Sequence, residues 1–122
     1  MSFAFGYLLD EHIHPALDLY LRLHAPELPV YKIGDGEGPP TGTLDPAILI
    51  WCEREKCVLI TDNRASMPGH LEDHVNAGRS VPGIFSISLS MSVAQLGEHL
   101  IFVAQVSFPD EYQNSIWFLP IF

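Results

Sequence analysis

LDPAILIWCEREKCVLITD, residues 44–62, decides the fold. Pro46 suits the first position of a helix, where its missing N–H removes no hydrogen bond, and Asp45 in front of it can accept from the open amides of the first turn. The spacing predicts a helix from about Pro46 to Lys56. Cys57 to Thr61 follows as an almost wholly apolar run, the pattern of a strand covered on both faces, and it stops at an acid, Asp62. A helix feeding directly into a strand of this kind points to a parallel sheet, because parallel strands need crossovers and helices are the usual ones.

Working outward, the same grammar recurs on both sides. Phe5 to Leu9 is another short apolar run, and it too ends in an acid, Asp10. Ile13, Leu17, Leu19, Tyr20, Leu21 and Leu23 predict a helix after it, with Pro15 tolerated in the first turn and Pro26 and Pro29 marking the end. Val30 to Ile33 reads as a second strand, and GDGEGPPTGT, residues 34–43, as a loop. Beyond Asp62, MPGHLEDHVNAG reads as a short helix closed by Gly78, Gly83 to Leu89 as a strand, Ser92 to Val106 as the last helix, and Ser115 to Leu119 as a fifth strand. Strict alternation of this kind predicts one α/β domain over residues 1–122, a sandwich around a mostly parallel sheet of about five strands.

Composition bounds the function. Of 122 residues, 48% are hydrophobic and 17% charged, which excludes disorder and a disulfide-stapled miniature. Fifteen acids against six Lys and Arg leave a formal charge of -9, so any nucleic-acid role must overcome a deficit of cations. Arg64, Arg79 or a basic partner are the candidates for offsetting it locally. Cys52 and Cys57 are five positions apart, which is neither a redox pair nor a zinc pattern, and two buried thiols are expected. MSFAFGYLLDEH lacks the cationic start of a secretory signal, and no apolar run approaches the ~18 residues of a membrane span, so a cytoplasmic protein with no membrane association is expected.

In a parallel sheet, ligands bind beyond the carboxyl ends of the strands. Asp10 and Asp62 stand at two such ends, and a short crossover would bring Asp45 to the same edge. Three converging carboxylates repel one another unless a cation lies among them, and oxygen donors favour Mg²⁺ or Mn²⁺ over zinc. Helix capping is the competing explanation for Asp10 and Asp45. Around the acids, Thr61 could hydrogen-bond a metal-bound water, Asn63 and Arg64 could hold a substrate phosphate, Arg64 through a forked pair of bonds, and His12 and His14 lie beside Asp10, His12 the closer. A local structural role is the alternative for Thr61, Arg64 and the histidines: a strand-end bond for Thr61, an ion pair on an acidic surface for Arg64, a solvated first turn for His12 and His14. Glu11 reads as a first-turn acid favoured by the helix dipole. His70 and His74 have ligand spacing on one helix face, yet HLEDH is not the zinc-protease motif, and surface or core histidines are the simpler reading. Trp51 and Trp117 read as core and edge, since no basic residues interleave with them as in a nucleic-acid stacking platform.

The runs YLLDEHIHPAL and LDPAILIWCEREKCVLITDNRASMPGHL, followed by the Gly83-Ile84-Phe85 strand, resemble the short PIN-like proteins related to VapC-type toxins. The resemblance covers nearly the whole chain and is strongest from Asp45 to Leu71. It implies a PIN-like three-layer sandwich, with the family's acidic cluster falling on Asp10, Asp45 and Asp62 and holding Mg²⁺ or Mn²⁺. It further implies an endoribonuclease acting on RNA, the toxin of a toxin-antitoxin pair restrained by an antitoxin protein. The fourth acid of the fuller pattern is not evident here, and RASMPGHL replaces the acidic-aromatic pair that follows the third Asp in close relatives. Those departures favour the alternative, a weak or inactive PIN-like module that acts by binding a protein partner. A hydrolase of small phosphate esters is the third reading, since the same metal chemistry serves it. The closing IWFLPIF suggests a covered edge strand or a homodimer surface.

Overall fold

The computed structural model describes residues 2–87 and 90–121. The elements run β1 (Gly6–Leu9), α1 (Pro15–His24), β2 (Val30–Lys32), α2 (Asp45–Glu55), β3 (Cys57–Thr61), α3 (Met67–Asn76), β4 (Ile84–Ser86), α4 (Val93–Val106) and β5 (Ile116–Phe118). All five strands join one parallel sheet in the order β2-β1-β3-β4-β5. The expectation of a mostly parallel sheet is met with every pairing parallel. Residues 88 and 89 of the predicted fourth strand lie outside the described residues.

Alternation along the strands divides two cores. Tyr7, Leu9, Val58, Ile60 and Phe85 face one side, where Leu17 and Leu21 of α1 and Leu96, Leu100 and Val103 of α4 cover them. Leu8, Cys57, Leu59 and Ile84 face the other, under Ile48, Leu49 and Cys52 of α2 and Met67 and Leu71 of α3. Helices on both faces of the sheet make the three layers. Tyr7 is wholly buried and satisfies its hydroxyl by donating to the Leu100 carbonyl at 2.6 Å, which ties the sheet to α4; burial pushes its pKa well up.

The helix ends differ from the sequence reading in instructive ways. His14 caps α1, its Nδ1 accepting from the Ala16 amide, so Asp10 is not the cap. At α2 the cap position falls on Leu44, and Asp45 is the first helical residue with no side-chain capping bond. Capping therefore explains neither acid. Leu19 and Leu23, grouped with the buried stripe of α1 by spacing, are 59% and 69% exposed, while Leu17 and Leu21 carry the contact. Ser92 and Gln95 form a reciprocal capping box that starts α4. Gly78, at positive φ, follows α3 and donates to the Val75 carbonyl, as its position predicts. Both thiols are free and buried; burial raises the pKa of Cys57 to about 12 and pushes that of Cys52 well above its ordinary value. Trp51 is core and packs edge-on against Tyr31, whereas Trp117 and Phe118 of the edge strand β5 are 42% and 59% exposed.

Candidate functional site at the carboxyl edge of the sheet

The strand order reverses between β1 and β3: the chain turns from β1 outward to β2, then crosses back to place β3 on the other side of β1. Such a switch point opens a crevice at the carboxyl ends of the two strands. Asp10 follows β1 there, and Thr61 ends β3.

Register settles which side chains meet. Leu9 pairs with Ile60, so the next residue along, Asp10, stands level with Thr61 and not with Asp62. The Asp10 amide donates to the Ile60 carbonyl at 3.0 Å, and the Thr61 hydroxyl donates to Asp10 Oδ2 at 2.9 Å. Thr61 Oγ1 accepts in turn from the Asn63 amide at 3.0 Å. The Asn63 side chain reaches Asp45 Oδ2 at 3.4 Å and the Ser66 hydroxyl at 2.8 Å. Asp10 and Asp45 are thus joined through Thr61 and Asn63. The Glu11 amide donates to Asp10 Oδ1 at 2.7 Å, which fixes the second oxygen of that carboxylate.

Asp62 is placed apart from this chain of bonds. It is exposed and lines a cavity of about 490 Å³ with Glu11 and His12, a lining that includes neither Asp10 nor Asp45. Ile60 belongs to the core under α1 and α4, and the position two residues on returns to that side, while Thr61 and Asn63 fall on the α2 and α3 side. Two of the three predicted acids are therefore linked, and the third borders a separate space on the same edge. Among the described residues no three His, Cys, Asp or Glu side chains are grouped as metal ligands.

The remaining predicted residues divide in the same way. Thr61 and Asn63 belong to the Asp10–Asp45 link. Arg64 donates to the Ile87 carbonyl at 3.2 Å and lies 5.3 Å over the Phe118 ring, which holds its guanidinium at the carboxyl edge. Arg79 is elsewhere, 3.4 Å from Glu53 beside the residues that lead into β4, and offers nothing to this site. His12 joins Asp62 at the cavity.

Two residues stand at the site without having been singled out for it. His70 Nε2 lies 3.4 Å from Asp45 Oδ2, while His74 is buried 3.0 Å from Glu53 and from the Ser80 carbonyl, so the two imidazoles turn to different partners. The signal was available: in an all-parallel sheet each helix begins at the carboxyl edge, so the first turn of α3 must approach the start of α2. The second is Ser86, level with Thr61 on β4 and buried, whose hydroxyl has no partner among the described residues. It borders a space of about 20 Å³ shared with Thr61, Asn63 and Arg64, enough for one water molecule.

A divalent cation fits the donor chemistry of this edge. Mg²⁺ is commonly held by one or two carboxylates, keeping several waters and taking substrate phosphate oxygens as further ligands. Asp10 and Asp45 supply two carboxylates held by hydrogen bonds, while the orphaned Ser86 hydroxyl lies one strand further on, level with Thr61. Comparison of the chain with protein-family models, with curated proteins and with solved structures returns no match.

Proposed function

We propose that this protein is a Mg²⁺- or Mn²⁺-dependent endoribonuclease of PIN-like type, with Asp10 and Asp45 as the carboxylates that hold the cation. The observation that carries the proposal is the hydrogen-bonded link from Asp10 through Thr61 and Asn63 to Asp45 at the switch point of the sheet. A bound divalent cation supplies neutralisation of phosphate charge and activation of water. The chain's own residues do the positioning. Thr61 fixes the rotation of the Asp10 carboxylate, and Asn63, braced by Ser66, turns Asp45 toward it. Arg64 keeps a positive charge at the edge where a substrate phosphate would arrive. Asp62 and His12 border the approach on the other side.

A toxin role restrained by an antitoxin is supported by the family resemblance, and the charge of -9 favours a basic partner. The exposed apolar face of β5 supports self-association as a homodimer. The second reading, a module that acts through a protein partner without turnover, has one specific observation in its favour: Asp62 is not joined to the other two acids.

Mn²⁺ titration calorimetry and cleavage of a fluorogenic single-stranded RNA, with and without EDTA, test the proposal. Cleavage should need the metal, and Asp10→Asn and Asp45→Asn should each lower it by about 10²-fold or more. A flat Mn²⁺ isotherm, together with cleavage absent or indifferent to EDTA and to both substitutions, would sink it in favour of the partner-binding module. A generic phosphate monoester as second substrate separates a nuclease from a small-ester phosphatase.

A further inference from the structure

We infer that the cavity between the first turns of α1 and α4 is a nucleobase subsite, which takes one base of the nucleic-acid strand whose backbone lies at Asp10 and Asp45. The inference rests on the nuclease reading for the identity of its occupant. Its volume, about 490 Å³, falls within the ~300–1,000 Å³ typical of small-molecule sites. The floor is aliphatic, built from Ile13, Leu17, Ile87, Val93 and Leu96. The rim carries both hydrogen-bonding senses, with Asp62 and Glu11 as acceptors and His12 able to serve as donor or acceptor, while Lys32 stands beside them at the mouth.

That combination selects the ligand. A planar heterocycle buries two apolar faces and presents N–H donors and carbonyl acceptors around its edge, which matches an aliphatic floor under a mixed polar rim. A hydrocarbon chain would leave the rim groups desolvated and unpaired, and a bare sugar would waste the floor. Lys32 closes β2, and its ammonium makes no hydrogen bond or ion pair among the described residues, so its charge is available to a phosphate at the mouth. The cavity also gives Asp62 a role that a metal-binding reading leaves it without: hydrogen bonding to a base.

Methyl NMR of the full chain in EDTA, titrated with adenosine, cytidine, guanosine and uridine and with their 5′-monophosphates, tests this. At least one base should shift the methyl resonances of Leu17, Ile87 and Leu96, with its monophosphate binding more tightly than the nucleoside. Val93→Phe, which fills the floor, should weaken binding by about tenfold or more. Lys32→Gln lies on the rim and should leave the fold intact; it should cost the monophosphate about fivefold and leave the nucleoside unchanged. Asp10→Asn should abolish RNA cleavage yet leave base binding in the cavity untouched, which separates failure of this inference from failure of the nuclease reading. No methyl shift with any nucleoside or nucleotide at about 10 mM would overturn the subsite, and so would binding of a medium-chain fatty acid in their place.

Discussion

Glu53 fastens three segments with one carboxylate. Its Oε1 accepts from the Ser80 amide at 3.0 Å and lies 3.0 Å from His74 Nε2 and 3.4 Å from Arg79 Nε, so α2, α3 and the approach to β4 share one oxygen. The Ser80 amide is the largest influence on it and, with Arg79 and His74, outweighs partial burial, so the Glu53 pKa lies below its ordinary 4.5. A depressed carboxylate stabilises the fold fully above its unfolded value and loses that contribution as pH falls through the folded one. Glu53→Gln should therefore lower the urea midpoint at pH 7, and the difference from the parent should shrink below 4.5 and vanish in strong acid. An equal difference at both ends of that range would show that the Glu53 charge is not what matters.

At the scale of elements, the α1–α4 contact depends on an absent side chain. A Cβ built on Gly97 of α4 would run into the Tyr20 ring of α1. Glycine inside a helix ordinarily costs about 1 kcal/mol relative to alanine, so on propensity alone Gly97→Ala would stabilise the protein. Overpacking here should reverse the sign by about 1–3 kcal/mol, lowering the melting temperature by roughly 4 °C or more. A melting temperature at or above the parent's would mean that Tyr20 yields easily and that the close approach is incidental. The same pair of helices frames the cavity, so their separation also bears on its size.

Over the whole molecule, the charge of -9 limits how RNA can be held. Arg22 is 2.7 Å from Asp18, Arg54 is 3.0 Å from Glu55 and Arg79 is 3.4 Å from Glu53, so half of the six basic side chains face acids. Lys56 caps the far end of α2, which leaves Lys32 and Arg64 at the carboxyl edge. Two cations neutralise about two phosphates, so in EDTA the affinity for single-stranded RNA should be weak, with a log–log salt slope near -1.4 by fluorescence anisotropy. A slope of about -4 or steeper would reveal a basic surface that this arrangement does not contain.

Alternating apolar runs and helical spacings were enough to establish the α/β class and, among the described residues, the nine elements to within a few residues, because burial on both faces of a parallel sheet writes itself into composition. The strand-end acids Asp10 and Asp62 and the helix-start acid Asp45 were equally legible as carboxyl-edge residues. Which of them meet was not. A strand places successive side chains on opposite faces, and register alone decides that Asp10 stands level with Thr61 and joins Asp45 through Asn63, while Asp62 borders the cavity of His12 and Lys32. Local sequence carries no record of strand order either, so the reversal between β1 and β3 that opens the crevice came only from how the sheet closes its two cores.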